Sequence, residues 1–459
     1  MTLMDLGALL EAALPPGQVL AGPVAGADYS HDESLTGVAQ EPAYVVFPAS
    51  AAEVAAVLRI ANARRVPVTA RGSGTGLSGA AIPAPGGIIV SFERMNHVLD
   101  IDTDNHVAVV EPGVTLAQLD EETRKHGLVY PVFPGEYSAS IGGNVATNAG
   151  GMRAVKYGVT RHHVLGLEAV LASGEVVRAG GRFVKSSAGY DLTQLIIGSE
   201  GTLALVTEAT LKLYPRPAYQ ATVMAPFRAL TDVTHAVPRI VASGIGPLIL
   251  EYLDTVTLDA VSAHVGLDLG IPAETRSEAV AYLVVMMENT SAERLDEDVQ
   301  DLGKQLVELG ALDVYVLPPQ SAAQLIDARE KAFWVAKANH ADDIVDVVVP
   351  RAAVADFMET VARVAQEDGS WIAGCGHAGD GNVHLSVFQP SPEVRARVMH
   401  RLFEAGLALG GAISGEHGIG TTKRQHFLEL TDPTKLALMR RIKAAFDPNG
   451  ILNPGTLID

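Results

Sequence analysis

The sequence predicts an α+β protein with a glycine-rich first half, a second domain and a C-terminal segment that returns towards the first half. The chain of 459 residues is too long for one simple hydrophobic core, so two or three domains are expected. Helical and strand patterns alternate throughout, whereas glycine-rich motifs occur only before Pro217 and after residue 373. The expected segments are an N-terminal helix and loop at 1–40, then 41–217, 218–410 and 411–459.

The composition excludes several functional classes. Hydrophobic residues make up 48% of the chain and charged residues 19%, which is typical of a folded globular protein. A net charge of -19 argues against nucleic acid as a partner, because phosphate binding needs clustered Lys and Arg. The single cysteine, Cys375, permits no internal disulfide, which fits a reducing cytosol.

The sequence shows no targeting or membrane-spanning signal. The N-terminus lacks the basic region of a signal peptide, and the most apolar internal run, Ala281 to Met287, is too short to cross a bilayer. We therefore expect a soluble, cytoplasmic protein without a transmembrane segment.

Local patterns define the elements of the first half. Apolar spacing predicts a helix from Ala51 to Arg64. Thr115 and Gln118 form a capping box that begins a second helix, and Gly127 ends it. Short β-like runs surround these helices: Tyr44 to Phe47, Val66 to Ala70, Ile88 to Phe92 and His106 to Glu111.

Two glycine-rich stretches predict a site for a phosphate-bearing ligand. The first, Arg71 to Gly79, contains G-x-G-x-x-G, but Pro83 and Pro85 follow too soon for the helix that an NAD-binding loop must open. Its glycines still let successive backbone N–H groups point at one anion. The second stretch, Ser140 to Gly151, is expected to form a similar loop. Both loops could instead be ordinary tight turns.

These stretches resemble the FAD-binding domain of the vanillyl-alcohol oxidase / p-cresol methylhydroxylase flavoprotein superfamily. The matching motifs are Pro67 to Gly79, Pro134-Gly135, Ser140 to Gly151, and Gly198 to Leu203 with Val206. The resemblance implies a two-subdomain FAD-binding domain of the p-cresol methylhydroxylase type. In some members a histidine in the first loop carries FAD covalently; Thr75 stands near that position here, so we expect non-covalent FAD.

The resemblance also implies which residues contact the cofactor. They come from both glycine-rich stretches, from the motif that begins at Gly198, and from the C-terminus. They are Arg71, Gly72, Ser73, Gly74, Thr75, Gly76, Pro134, Gly135, Ser140, Gly142, Gly143, Asn144, Asn148, Gly150, Gly151, Glu200, Gly201, Val206 and Asn453.

A β-hairpin is predicted around the pair Asp380-Gly381, which is typical of a two-residue type I′ turn between two strands. That turn would place His377 directly opposite His384, with Cβ atoms about 4.5–5.5 Å apart. Two imidazoles so placed could share a metal ion; the alternative is a hydrogen-bonded histidine pair. Strand alternation puts Cys375 and Ser386 on the same face.

The motif Ser414 to Gly420 can supply a third metal ligand. It contains Glu416 followed by His417, surrounded by glycines that allow close approach to another group. Three protein ligands with an open position is the pattern of a catalytic metal. Two histidines and one carboxylate suit Zn²⁺ best and also Mn²⁺ or Fe²⁺.

The hairpin and the Glu-His motif together resemble the C-terminal domain of FAD-linked D-2-hydroxy acid dehydrogenases. This group includes D-lactate dehydrogenases, D-2-hydroxyglutarate dehydrogenases and the flavin subunit of glycolate oxidase. This resemblance runs from about Glu41 to the end of the chain. It implies a substrate (cap) domain with an antiparallel sheet flanked by helices. It implies metal ligands His377, His384 and Glu416, with His417 as the base. The reaction implied is oxidation of a D-2-hydroxy acid by hydride transfer to flavin N5.

Arg329 matches the arginine that holds the substrate carboxylate in these enzymes, and a guanidinium suits a bidentate carboxylate pair. The alternative is a surface charge paired with Glu330 or Asp327. Ser386 is a second expected substrate contact. 2-Hydroxyglutarate enzymes carry Thr, Lys and Asn where this chain has Phe333, Ile344 and Ser386. A monocarboxylate such as lactate, glycolate or a longer apolar 2-hydroxy acid is therefore favoured over a dicarboxylate.

Three other functions stay open from the sequence. They are a D-2-hydroxyglutarate dehydrogenase, a metal-independent flavin oxidase or transferase of the same superfamily, and a non-catalytic FAD-binding subunit. The electron acceptor is expected to be an electron-transfer flavoprotein, a cytochrome or a quinone, with O₂ as a further option. The oligomeric state is open, with a homodimer among the options.

Overall fold

Helices and strands alternate along the chain in the computed structural model, which describes residues 3–458. The predicted α+β class is confirmed. The strands are β1 Val19–Ala21, β2 Tyr44–Val46, β3 Val68–Arg71, β4 Ile88–Ser91, β5 Val98–Asp102, β6 Val107–Val110, β7 Leu128–Val129, β8 Val164–Val170, β9 Val176–Gly180, β10 Leu205–Lys212, β11 Tyr214–Pro215, β12 Tyr219–Phe227, β13 Ile249–Asp254, β14 Ala281–Asn289, β15 Tyr315–Leu317, β16 Asp343–Val348, β17 Trp371–His377 and β18 Asn382–Phe388.

The helices lie between these strands and beyond the last of them. Short 3₁₀ turns occupy Ala27–Ser30, Thr160–His162 and Arg351–Ala353. The α-helices are α1 Leu3–Ala13, α2 Gly22–Ala25, α3 Ala51–Arg64, α4 Leu116–Arg124, α5 Ile141–Thr147, α6 Ala154–Tyr157, α7 Leu192–Ile196, α8 Leu230–Ala242, α9 Thr255–Val265, α10 Ala273–Glu278, α11 Ala292–Glu308, α12 Pro319–Glu330, α13 Ala332–Ala338, α14 Val354–Asp368, α15 Pro392–Ala408, α16 Arg424–Leu430 and α17 Pro433–Phe446.

The first half of the chain contains two main sheets. One has the order β1-β2-β4-β3, with β4 parallel to both β2 and β3. The other is antiparallel, in the order β5-β6-β10-β8-β9. Helix α3 buries Val54, Val57 and Leu58 against the first sheet, which is the apolar stripe that its sequence predicts. The segment 1–40, expected to be a helix and a loop, also contributes β1, which pairs with β2.

The expectation of a second glycine-rich loop is wrong over residues 141–147, which form α5. The Oγ atom of Ser140 accepts a hydrogen bond from the backbone N–H of Gly143 and so caps the helix start. Asn148, in the left-handed conformation at φ 55°, ends it. These two caps, which satisfy otherwise unpaired backbone groups, outweigh the poor helix propensity of the glycines inside.

The second half is built on a seven-stranded antiparallel sheet in the order β15-β12-β14-β13-β17-β18-β16. Helices α8, α11, α14 and α15 cover one face, and α9, α12 and α13 cover the other. Because both faces are covered, a central strand such as β14 is apolar at successive positions. This is the antiparallel sheet flanked by helices that the resemblance implies.

The register of the β17–β18 hairpin differs from the prediction. His377 pairs with Asn382, and Cys375 pairs with His384, so direct pairing of the two histidines is wrong. The connection is a four-residue turn, residues 378–381, because the N–H groups of Asp380 and Gly381 both donate to the carbonyl of His377. The shift equals two residues, an even number, so both imidazoles still share one face of the sheet.

The C-terminal segment contacts both halves. Ala412 and Ser414 form bridges with β16 of the large sheet, and Leu452 forms a parallel bridge with Val68 of β3. Lys443 of α17 donates to the carbonyl of Thr202 in the first half. Within residues 3–458, no helix combines the length and the hydrophobicity that crossing a membrane requires.

Candidate active site

Three of the predicted side chains converge on one point. The Nε2 atoms of His377 and His384 lie 3.3 and 3.1 Å from Oε1 of Glu416. Ligand atoms bound tetrahedrally at about 2.0–2.2 Å lie roughly 3.3–3.6 Å apart, so this spacing suits a single cation. Nε2 of His384 is buried and, apart from this contact with Glu416, has no hydrogen-bond partner in the part of the chain that the structure describes. The donor set therefore fits a divalent metal ion.

Glu251 lies behind His377 and was not predicted. It is fully buried on β13; its Oε1 is 2.6 Å from Nδ1 of His377, and its Oε2 is 2.7 Å from Nη2 of Arg329. A carboxylate in this position orients a metal-binding imidazole. Burial alone would lower the pKa of His377, but Glu251 and Glu416 outweigh it and raise that pKa well above its usual value. The two carboxylates thus favour a positive charge between them.

Asp346, also not predicted, organises the motif that carries Glu416. It is fully buried on β16 and accepts hydrogen bonds from Ser414 Oγ at 2.6 Å and from the backbone N–H of His417 at 2.9 Å. The Nδ1 atoms of His384 and His417 each lie 3.8 Å from it. One carboxylate therefore fixes both the Glu416 loop and the imidazoles beside it.

His417 stacks on His384, with ring centroids 5.0 Å apart and an interplanar angle of 26°. Burial lowers the pKa of His417 to about 4, and the nearby Asp346 carboxylate opposes this only in part. The imidazole is therefore neutral at neutral pH and able to accept a proton.

Two cavities meet at this cluster. The larger has a volume of about 410 Å³ and is lined by His377, His384 and Arg329. The smaller, of about 190 Å³, is lined by the first glycine-rich loop and by α5. Glu416 and His417 line both cavities. The smaller cavity also contains these predicted cofactor residues: Gly72, Ser73, Gly74, Thr75, Gly76, Pro134, Ser140, Gly143, Asn144, Glu200 and Gly201.

The lining of the smaller cavity fits a polar ligand. Nδ2 of Asn144 is buried there and has no hydrogen-bond partner among residues 3–458. Gly135 and Gly151 line the larger cavity, whereas Gly142 and Val206 line a third, of about 60 Å³. Gly72 and Gly201 line both this third cavity and the smaller one, so the cofactor residues predicted from sequence surround adjoining spaces.

Arg71 and Asn148, both predicted to contact the cofactor, line neither the larger nor the smaller cavity. Nη1 of Arg71 donates to the carbonyl of His31, and Oδ1 of Asn148 accepts from the backbone N–H of Arg161. Their side chains hold neighbouring segments in place. Direct contact of either with a cofactor stays a prediction.

Asn453 and Gly150 line none of these three cavities either. Nδ2 of Asn453 donates to the carbonyls of Ala80 and Glu200, so the C-terminus does return to the glycine-rich half. At Gly150, a Cβ atom would lie 2.9 Å from Oε2 of Glu416. The absence of a side chain there permits the close approach of Glu416.

Glu200 holds the Glu416 loop from the side of the first half. Its two carboxylate oxygens accept hydrogen bonds from the backbone N–H groups of Ile419 and Gly420, at 2.8 and 2.7 Å. Asp346 holds the same loop from the large sheet. The loop is thus fixed by both halves of the chain.

Arg329 is buried and faces the larger cavity, so the alternative of a surface charge paired with Glu330 or Asp327 is wrong. Its ion-pair partner is Glu251, and its Nε has no hydrogen-bond partner in the described part of the chain. Ser386 lines the same cavity, directly opposite Ile344 of β16.

The residues missed from sequence share a signal. Glu251 and Asp346 each interrupt an otherwise apolar strand: residues 248–253 read Leu-Ile-Leu-Glu-Tyr-Leu, and 344–349 read Ile-Val-Asp-Val-Val-Val. A carboxylate in a buried strand needs charged or hydrogen-bonding partners. That rule would have marked both positions.

Comparison with known proteins gives consistent matches. Residues 42–180 match the family model "FAD binding domain", and residues 216–457 match "FAD linked oxidases, C-terminal domain". An uncharacterized FAD-linked oxidoreductase of Mycobacterium tuberculosis is 57% identical and covers 96% of both chains. A D-lactate dehydrogenase of Archaeoglobus fulgidus is 38% identical, over 94% of this chain and 95% of its own. The crystal structure of p-cresol methylhydroxylase covers 98% of this chain and 96% of its own, with a TM-score of 0.80 and 19% identity, and so shares the fold.

Proposed function

Because this chain belongs to the FAD-linked oxidoreductase family, we propose that it oxidises a small D-2-hydroxy acid to the 2-oxo acid with non-covalent FAD and a divalent metal ion. One observation carries the proposal. His377, His384 and Glu416 converge beside the buried Arg329 and the neutral His417, where two cavities meet.

FAD would be held by the residues that line the smaller cavity, from the first glycine-rich loop to α5 and the turn at Glu200. Their backbone N–H groups suit a pyrophosphate. Thr75 in that loop has no imidazole for a covalent flavin link. When bound, FAD supplies the acceptor, at N5, for the hydride that leaves C2 of the substrate.

The metal ion would be held by His377, His384 and Glu416, and Zn²⁺ suits this set best, with Mn²⁺ or Fe²⁺ as alternatives. When bound, the ion polarises the substrate hydroxyl and lowers its pKa. Glu251 keeps His377 oriented, because its carboxylate accepts a hydrogen bond from the Nδ1–H group of that imidazole.

Three side chains of this protein then act on the substrate. The guanidinium of Arg329 binds the carboxylate, and Ser386 lies beside it in the same cavity. His417 accepts the hydroxyl proton at Nε2, since its Nδ1 faces Asp346. The side chains of His417 and Glu416 are only 13% and 10% exposed, which limits the access of water to this proton transfer.

The rival functions differ in their substrate or in their need for metal. A D-2-hydroxyglutarate dehydrogenase would need partners for a second carboxylate, and Phe333 and Ile344 offer none. A metal-independent flavin oxidase or transferase would not need the His377–His384–Glu416 cluster.

The cytoplasmic location, the electron acceptor and a homodimer stay predictions.

An anaerobic screen over D- and L-2-hydroxy acids tests the proposal. The purified protein is expected to contain FAD, and its flavin absorbance is expected to bleach with at least one D-2-hydroxy acid and not with the L enantiomer. A flavin that no 2-hydroxy acid reduces would contradict the proposed function.

Removal of the metal ion is expected to slow flavin reduction by at least about 10²-fold, because the hydroxyl then loses its polarising partner. The protein is treated with a chelator and dialysed, and reduction is followed by stopped flow before and after Zn²⁺, Mn²⁺ or Fe²⁺ is added. Recovery with one of these ions is expected. Unchanged reduction in a preparation shown to be metal-free would remove the ion from the mechanism.

Gly151→Ala is expected to lower FAD retention strongly. Gly151 has φ 114°, and a Cβ atom there would lie 2.0 Å from the backbone oxygen of Phe133, so the wall at Pro134 must shift. The bound FAD per chain is measured after purification. Gly303→Ala is the matched control, because its Cβ would meet only Val314, at 3.9 Å. Full FAD content in the Gly151 variant would contradict the proposal that the cavity wall at Phe133 and Pro134 helps to hold FAD.

A further inference from the structure

The larger cavity continues past the metal-ligand cluster along the β17–β18 hairpin. From His384, the same face of β18 presents Ser386 and then Phe388 to the cavity. At about 3.4 Å per residue, this wall extends roughly 14 Å along the strand from His384. Ala373 and Trp371 lie opposite on β17. We call this extension the outer chamber.

Apolar residues enclose the outer chamber on its other sides. Ile344 of β16 lies opposite Ser386 and adds a branched side chain to its floor. Helix α9 contributes Val256 and Val261, and α13 contributes Phe333. Trp371 packs against Phe388 in a tilted arrangement, with ring centroids 4.4 Å apart, and remains 53% exposed at the outer end. The chamber is therefore an apolar passage with an aromatic pair at its mouth.

The outer chamber is separate from the space assigned to the cofactor. The larger and smaller cavities share Leu77, Pro134, Glu416 and His417. None of the chamber residues belongs to this shared set. A cofactor held in the smaller cavity and reaching His417 would leave the outer chamber free.

Charge in the larger cavity is concentrated near the metal-ligand cluster. Arg329 is the one Arg or Lys among the lining residues that the structure describes. If it binds the C1 carboxylate, a second carboxylate in the outer chamber would have no cationic partner among the lining residues that the structure describes, and burying it there would be unfavourable. An alkyl or aryl group would instead gain from leaving water.

We propose that the natural substrate is a D-2-hydroxy monocarboxylate with a branched or aromatic side chain, which the outer chamber receives. This inference rests on the proposed function and narrows its substrate class. Gly135 and Gly151, which are expected to contact FAD, line the inner part of the cavity of about 410 Å³, so the outer chamber is the part of that volume available to the substrate side chain. Ile344, Phe333 and Phe388 then determine specificity through contact with the side chain.

A substrate series tests the inference on the intact holoenzyme. D-lactate, D-2-hydroxyisocaproate, D-phenyllactate and D-2-hydroxyglutarate are compared by kcat/KM for flavin reduction. Each methylene removed from water favours binding roughly fourfold, so D-2-hydroxyisocaproate, with three more carbons, is expected to exceed D-lactate by about 60-fold. D-2-hydroxyglutarate is expected to fall below D-lactate.

The outcomes separate the two proposals. If D-lactate or D-2-hydroxyglutarate equals or exceeds the apolar acids, the outer-chamber inference is overturned while the proposed function stands. If none of the acids reduces the flavin, the proposed function itself fails.

Ile344→Lys tests the location of the side chain. An ammonium in the apolar chamber, opposite Ser386, is expected to lower the kcat/KM ratio of D-2-hydroxyisocaproate to D-lactate at least tenfold, whereas the volume-matched Ile344→Met is expected to keep it within about threefold. FAD content reports correct folding. An unchanged ratio in Ile344→Lys would overturn the inference.

A measurement on the unmodified protein covers the case in which Ile344→Lys does not fold. Isocaproate and propionate lack the reacting hydroxyl and differ only in the apolar side chain. Isocaproate is expected to perturb the flavin spectrum with a Kd at least tenfold lower than that of propionate. Equal Kd values would overturn the inference.

Discussion

Replacing His417 by alanine is expected to slow flavin reduction by about 10²–10⁴-fold while FAD stays bound, because general-base catalysis contributes a factor of this size. Burial lowers the pKa of His417 to about 4, so its imidazole is neutral at neutral pH, which is the form that can accept a proton. Anaerobic stopped-flow reduction by the best D-2-hydroxy acid provides the measurement, and the flavin spectrum before mixing reports cofactor content.

His400→Ala is the matched control for this experiment. His400 lies on α15, partly buried, and lines neither of the two main cavities. Its removal is expected to leave the reduction rate within about twofold of the parent protein, as is usual for substitutions away from a site. A His417→Ala protein that reduces its flavin at the parent rate would exclude His417 as the base.

Replacing Glu251 by alanine is expected to lower the free energy of unfolding by about 3–5 kcal/mol, because it leaves buried charges without a partner. Glu251 is fully buried and contacts both His377 and Arg329, which are themselves buried. The affinity for the proposed metal ion is expected to fall about 10–100-fold, since His377 loses the carboxylate that orients it. Chemical denaturation and metal titration measure the two effects.

Glu278→Ala provides the contrast. Its ion pair with Arg228 is exposed, with 51% and 64% of the side chains accessible, and such pairs contribute about 0–1 kcal/mol. Glu251→Ala is therefore expected to shift the denaturation midpoint far more than Glu278→Ala. Equal shifts would mean that the buried Glu251 network adds little to stability.

Much of the fold and the family were predictable because the deciding signals are local. The apolar spacing from Ala51 to Arg64 gave the bounds of α3, and the capping box at Thr115 marked the start of α4. The motifs around His377 and Glu416 led to the family that the comparisons confirm. At α5 the glycines suggested a loop, and that prediction was wrong because Ser140 and Asn148 cap a helix there.

The hairpin illustrates why a wrong local geometry still gave the correct set of side chains. The turn is longer than predicted because the N–H of Gly379 donates to Leu250 on the neighbouring strand, a contact that a reading of the turn alone cannot anticipate. A one-residue error would have sent one imidazole to the opposite face. The two-residue error kept His377 and His384 together.

Glu251 and Asp346 could not be assigned to the site from their own surroundings in sequence. Glu251 reaches His377 because β13 pairs with β17, and Asp346 reaches His384 because β16 pairs with β18. Both pairings join segments far apart in the chain, and only the order of strands in the sheet brings them together. Long-range topology therefore supplied what local patterns lacked.

The two anchors of the Glu416 loop limit how this protein can be recombined with its relatives. Glu200 of the first half and Asp346 of the large sheet each bind backbone N–H groups of the same short loop. A chimaera that exchanges one half alone must preserve both carboxylates and the spacing between them, or Glu416 and His417 lose their position together. Engineering new substrate range by swapping whole domains is thus more hazardous here than changing individual chamber residues.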